Sequence, residues 1–188
     1  MYKRPNADYL DGHEKAEIIS YLPDLQQRKV LDLGSGIGRF TRHFATQAAH
    51  LTSTDLMSHF VEKNRQNHAD LTNVSYLCSD VMQLQFEPAS FDFIFLHWLL
   101  MYLEDDQMKL LFKRIHQWLK PQGELFFRET CAVVRRTNTK DGYYAHYRTL
   151  TEYDTLIKNF TLLKEGHIRA YVYAFADPLQ CYWHCRKD

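Results

Sequence analysis

The stretch VLDLGSGIGRFT, from Val30 to Thr41, constrains the fold of this chain more than any other segment. A β-branched, leucine-rich run stops at Gly34, glycine recurs at Gly36 and Gly38, and Arg39 and Phe40 then lead into helical spacing. Side chains missing at alternate positions let a left-handed turn form and let a ligand approach the backbone. Strand, glycine turn and helix in that order open a doubly wound α/β sheet.

The rest of the chain repeats the alternation. HLTSTD reads as a second strand ending on Asp55, VSYLCSD as a third ending in Asp80, and FDFIFLHW as a fourth, nearly continuous in its hydrophobicity. Runs apolar on both faces suit parallel strands covered by helices on each side. Helical spacing fills the gaps over 40–49, 60–67 and 106–119, the last with Met108, Leu111, Ile115 and Leu119 on one stripe. Ala16 to Leu22 reads as a helix stopped by Pro23, and KPQGELFFRE turns at Pro121 and Gly123 into a fifth strand. The tail offers a helix near 151–159 and strand-like runs at 160–164 and 180–185. Between Ala132 and Ala145 no regular element is legible, and a loop of functional length is expected.

A length of 188 residues matches one ordinary domain, spanning 1–188. Lys+Arg and Asp+Glu balance at 23 each, so no global field draws a polyanion or an anionic membrane. Nucleic acid is therefore an unexpected partner. No apolar run approaches the ~18 residues of a spanning helix, and MYKRPNADYLDGHE lacks an export core, which points to the cytoplasm. Cys78, Cys131, Cys181 and Cys185 read as reduced thiols, because a domain of this size has a core of its own. Cys181 and Cys185 flank His184, but QCYWHCR alternates as a strand does, so no metal is expected.

The glycine spacing selects the ligand. A dinucleotide fingerprint needs a small residue three positions after its second glycine, and Arg39 stands there. D-x-G-x-G-x-G instead suits an amino-acid-bearing nucleoside without a pyrophosphate, such as S-adenosylmethionine. Asp55, about twenty positions past the first glycine, is placed to accept the ribose hydroxyls. Asp80 is placed for the adenine amino group, and Asp32 faces the ammonium end of the methionine portion. Leu56, Val81, His97 and Trp98 complete the expected cofactor set, Trp98 against the adenine or the sulfonium, or simply as buried bulk.

With these motifs in place the chain resembles class I methyltransferases from the glycine loop to KPQGELFF, which implies a mostly parallel Rossmann-like sheet with an antiparallel last strand. LDLGSGIGRFT, HWLLMYLED, FFRETC, HYR and the closing CYWHCRK are similar to the N-terminal catalytic half of plant and nematode phosphoethanolamine N-methyltransferases. Three departures stand out: His97 replaces an asparagine, Tyr144-Ala145 replaces Asn-Pro-Thr, and the family's N-terminal segment is longer. The resemblance implies a small phosphorylated amine as acceptor, a first methylation only, and substrate contacts from Arg128, Glu129, His146, Tyr147 and Arg148.

Methyl transfer to an amine needs an aligned nucleophile and a free lone pair. An alkylammonium resembling lysine, with a pKa of about 10.4, costs roughly 5 kcal/mol to deprotonate at pH 7. Tyr102 or His146 is expected to take that proton while His97 orients the acceptor or cofactor; Tyr102 reads equally well as a core residue. A phosphate dianion needs donors, and Arg135, Arg136, Lys140, Tyr143, Tyr144, His146, Tyr147 and Arg148 lie in the loop and at its exit. Arg135, Arg136 and Lys140 read more simply as solvated loop charges. Two further readings remain open from residues alone: another small acceptor, or a cofactor-binding partner subunit that does no chemistry.

Overall fold

The computed structural model describes residues 7–138 and 144–188. Five parallel strands carry the first half of the fold: β1 (Lys29–Leu33), β2 (His50–Asp55), β3 (Val74–Cys78), β4 (Phe91–His97) and β5 (Leu119–Thr130). Two more, β8 (Thr161–His167) and β9 (Gln180–Arg186), complete a seven-stranded sheet of order β3-β2-β1-β4-β5-β9-β8. The last strand in sequence, β9, is antiparallel to both of its neighbours, as expected. Helices α1 (Ala7–Tyr21), α2 (Thr41–Gln47), α3 (Ser58–Asn67) and α4 (Asp105–Trp118) connect and cover it, with the short α5 (Leu150–Asp154) and α6 (Arg169–Phe175) near the end.

Strand alternation divides the buried residues between two faces. Leu31, Leu33, Ile94, Leu96, Leu125, Phe127 and Trp183 point to the face covered by α4 through Met108, Leu111, Phe112, Ile115 and Trp118. Val30, Phe93, Phe95, Phe126 and Tyr182 point to the other, under Ile18 of α1 and Phe40 and Phe44 at α2. On that second face Phe95, Phe126 and Tyr182 stack in sequence at centroid spacings of 5.6 Å, each step crossing to the next strand. Burying one such side chain contributes about 1.5–3 kcal/mol, so this ladder fixes the register of β4, β5 and β9.

The sequence expectations need three corrections. The segment after β5 is not a bare loop: β6 (Arg136–Asn138) and β7 (Ala145–Tyr147) pair antiparallel as a separate small sheet. β5 starts at Leu119, ahead of the proline, because Gln122 takes the left-handed turn at φ 62 and the strand resumes beyond it. The run at 169–175 is helical, which no apolar stripe announced, since none of its residues is buried. Among the described residues no helix is long and apolar enough to cross a membrane.

Candidate active site

The glycine turn sits at the carboxyl end of β1, where open sheets of this kind receive ligands. Gly34, Gly36 and Gly38 have φ of 74°, 56° and 88°. The amides of Gly34 and Ser35 both donate to Thr54 O at 2.9 Å, which ties the turn to the end of β2. The glycines divide their work. A Cβ on Gly36 would meet nothing within 4 Å, so that backbone faces open space, whereas one on Gly38 would lie 1.9 Å from Asn64 Oδ1. Asn64 cannot move aside: it is buried, donates to Ser53 Oγ at 3.0 Å and is bonded to His68 Nδ1 at 2.9 Å. Gly38, expected to touch the cofactor, is also required to be glycine by the packing of α3.

Asp55 holds the turn with its carboxylate, Oδ2 accepting from the Gly36 amide at 2.8 Å and Oδ1 from the Met57 amide at 2.9 Å. Asp32 is buried; burial first, and the charge of Asp55 second, push its carboxyl up to about 8. No cation among the described residues pairs with either group. The Asp55 carboxylate and an Asp32 carboxyl ready to ionise toward a cation, beside an open glycine backbone and the exposed Ile37, Leu56 and Met57, fit a cationic, partly apolar nucleoside and oppose a pyrophosphate. Asp80 lies exposed past β3, its Oδ1 capping the Met82 amide at 2.8 Å, with Val81 buried behind it.

Where β4 and β5 end, an ionic cluster is buried. Glu14 of α1 is 2% exposed; its Oε1 lies 2.7 Å from Arg128 Nη2 and its Oε2 lies 2.9 Å from Arg39 Nη2. His97 Nε2 is 3.6 Å from Glu14 Oε1 and 3.3 Å from Arg39 Nη1. Burial raises the Glu14 carboxyl, but the His97 hydrogen bond and the charges of Arg128, His97 and Arg39 outweigh it and hold the group at about 2. Burial lowers His97 to about 4, so its ring is neutral at pH 7. The Arg128 guanidinium lies 3.8 Å from the Trp98 ring centroid and 5.2 Å from that of Tyr171, and among the described residues its one ion-pair partner is Glu14. Trp98 itself takes φ 57° and donates from Nε1 to Thr130 Oγ1 at 3.0 Å. His97 was expected to orient a ligand; its contacts here are with protein charges. Glu14, Arg39 and Tyr171 had not been expected at the site. The legible signal for Glu14 was its place at helical spacing between Leu10 and Ile18, where an apolar residue belongs.

Glu129, expected to contact substrate, is fully buried and holds the chain leaving β4. Its Oε1 accepts from the Leu99 and Leu100 amides at 2.8 and 2.6 Å. Burial pushes its carboxyl up to about 7 against those hydrogen bonds and the charge of Arg128. The pinned segment is a 3₁₀ turn, Leu100–Tyr102, which projects Tyr102 with 52% of its surface exposed; the core alternative for this residue does not hold. Arg148 clamps the same turn from the far side. Its Nη1 donates to Leu100 O at 3.0 Å, Nη2 to Leu103 O, and Nε to Asp105 Oδ1 at 2.9 Å. The guanidinium of Arg148, expected to meet a phosphate, is engaged here with these three acceptors. Arg135 is likewise bidentate on Asp105 at 2.7 and 2.9 Å. His146, in β7, lies between Thr137 Oγ1 at 3.2 Å and Glu104 Oε1 at 3.2 Å. Tyr147 carries the Arg136 guanidinium 5.0 Å above its ring. Lys140 and Tyr143 lie outside the described residues. Among those described, no group of three or more His, Cys, Asp or Glu is arranged to hold a metal ion.

Strand order, glycine turn and acidic strand ends together define an α/β enzyme that binds an amino-acid-bearing nucleoside. A methyltransferase domain model matches residues 30–123. The chain is 38% identical over 160 residues to a phosphoethanolamine N-methyltransferase of Triticum aestivum, 84% of this chain and 30% of that protein. It is 32% identical over 166 residues to phosphoethanolamine N-methyltransferase 1 of Caenorhabditis elegans, 84% of this chain and 35% of that protein. Among solved structures it matches Haemonchus contortus phosphoethanolamine N-methyltransferase 1, in complex with phosphoethanolamine and S-adenosylhomocysteine, at a TM-score of 0.88 and 30% identity, covering 96% of this chain and 43% of that one. The chain therefore belongs to the S-adenosylmethionine-dependent methyltransferases, and its cofactor is S-adenosylmethionine. It spans about a third of the length of the curated relatives it matches.

Proposed function

We propose that this chain transfers a methyl group from S-adenosylmethionine to the amine of phosphoethanolamine. The observation that carries the reading is the likeness to enzymes named for that substrate, which extends over most of the chain. The cofactor would lie on Gly34 and Gly36, with Asp55 at the ribose, Asp80 at the adenine, Leu56, Val81 and Trp98 along its apolar surfaces, and Asp32 toward its ammonium. It supplies the methyl group as an electrophilic sulfonium substituent.

The residues at the rim meet the remaining demands. Arg128, a buried guanidinium short of acceptors, together with Arg136, Tyr144 and Tyr147, provides donors for a phosphate. Arg135 and Arg148 are spent on Asp105 and serve by fixing the turn that carries Tyr102. Tyr102 accepts a hydrogen bond from the amine, and His146 takes up the proton, with Glu104 as counter-charge to the imidazolium that results. His97 and Glu129 act through others, the first by setting Arg39 and Arg128 through Glu14, the second by holding Leu99 and Leu100.

Calorimetry with phosphoethanolamine, phosphocholine and ethanolamine, each with S-adenosylhomocysteine present, tests the substrate class. Tighter binding of the phosphorylated amines is expected. Equal affinity for ethanolamine would turn the reading toward a different small acceptor. Tyr102→Phe and His146→Ala are each expected to lower kcat with cofactor affinity unchanged, and wild-type rates in both would remove the proton-acceptor roles.

A further inference from the structure

All four cysteines are free thiols, but two of them are neighbours in a setting the methyl-transfer site does not use. Cys131 follows the last residue of β5 and Cys181 is the second residue of β9. The ladder pairs Thr130 with Gln180 and Glu129 with Cys181, and the Cys131 amide extends it by donating to Leu179 O at 2.6 Å. Cys131 and Cys181 are therefore diagonal neighbours on one face of the sheet, a relation that brings Cβ atoms closer than the ~7–8 Å between Cα atoms. His167 Nδ1 stands 3.5 Å from Cys181 Sγ on the opposite side.

A surface cavity of about 520 Å³ opens on this pair and is lined by Cys131, Cys181, His167, Thr149 and Leu150 among others. A small polar molecule thus has a path to sulfurs that are otherwise 1–2% exposed. The acidities of the two thiols have been driven apart. Cys181 is lowered, first by the neighbouring Cys131 thiol and, against burial, by His167; Cys131 is raised, first by Cys181 and then by burial. Cys181 is in this way biased toward the thiolate, the nucleophilic form, with a more weakly acidic thiol beside it. The arrangement is that of an attacking and a resolving cysteine.

We propose that Cys131 and Cys181 form an oxidative modification site, in which a small hydroperoxide entering the cavity converts the dithiol to a reversible intramolecular disulfide. The Cys181 thiolate attacks the peroxide; an S–O bond forms, the O–O bond breaks, and the leaving oxygen departs as an alcohol or water after taking a proton. The Cys131 thiol then attacks the resulting sulfenic sulfur, an S–S bond forms and water leaves. In balance, two thiols and one hydroperoxide give one disulfide, one water and one alcohol or second water. The sulfurs are oxidised and the peroxide is reduced. The pair lies at the last rung of the β5–β9 ladder, with the Cys131 amide on Leu179 O and the Ala132 amide on Arg148 O, so closing the bridge from a diagonal spacing draws the end of β5 toward β9.

The test is peptide mapping of the reduced chain after graded hydrogen peroxide, with free thiols blocked by N-ethylmaleimide and digestion under non-reducing conditions. The expected result is a cross-linked peptide pair containing Cys131 and Cys181 that disappears on treatment with a thiol reductant. With Cys131→Ser, a dimedone adduct on Cys181 should replace the cross-link. In the unmodified chain, the rate of Cys181 alkylation should rise to a plateau with a midpoint below that of exposed Cys78. Recovery of both residues as maleimide adducts while exposed Cys78 is oxidised would overturn the proposal, as would a cross-link joining any other pair.

Discussion

Asp32 gives the sharpest prediction, because binding of the cofactor or its product has to change its protonation. In the free chain its carboxyl titrates at about 8, so at pH 7 only about one molecule in ten carries the charge. A ligand that brings an ammonium into this region favours the ionised form, and binding then expels close to one proton. Titrating S-adenosylhomocysteine at pH 7 in buffers of different ionisation enthalpy should give a release of about 0.9 protons, and affinity should rise nearly tenfold per pH unit between about 6 and 8 before levelling off. Stability runs the opposite way. A carboxyl raised in the folded state above its ordinary 3.8 contributes fully at low pH, and the contribution is lost as pH rises through about 8. Asp32→Asn removes that penalty, with an upper bound of about 6 kcal/mol at pH above 8, and also removes the proton release. Equal binding enthalpy in phosphate and Tris, together with a flat affinity profile, would refute the reasoning.

The glycines separate fold from ligand: Gly38→Ala should cost about 3 kcal/mol in denaturant melts because its Cβ meets fixed Asn64, whereas Gly36→Ala should cost only the ~1–2 kcal/mol of a left-handed alanine and lose S-adenosylhomocysteine binding. Glu14→Gln should destabilise by about 3–5 kcal/mol through the uncompensated Arg128, measured by urea unfolding at pH 7. In the unsubstituted chain the Glu14 contribution is present above its ordinary 4.5 and should be lost as pH falls through about 2. Glu129→Leu frees two buried amides and should lower kcat through a displaced Tyr102, visible as hydrogen exchange at Leu99 and Leu100.

The parallel half of the sheet was legible because runs such as Phe93 to Leu96 are apolar on both faces, and the Asp32 to Gly38 pattern placed the ligand turn by spacing alone. What escaped has a common physical origin in contacts between distant segments. The work of Gly38 is set by Asn64, which only the packing of α3 brings near. Arg148 had the look of a loop cation available to an anion, yet its acceptors are carbonyls and a carboxylate around the start of α4. The three-residue strands β6 and β7 are too short to show alternation, and α6 buries no stripe that a periodicity could reveal. Glu14 was the missed clue. A carboxylate at a buried position of a helix that packs on the sheet signals a buried cation elsewhere, here Arg128 and Arg39.

The most direct test is mass-spectrometric product analysis after incubating the purified chain with S-adenosylmethionine and phosphoethanolamine. The account predicts N-methyl-phosphoethanolamine appearing in step with S-adenosylhomocysteine, and no methylated product from ethanolamine at the same concentration. S-adenosylhomocysteine binding without any methylated phosphoethanolamine, or methylation of ethanolamine at an equal rate, would contradict it.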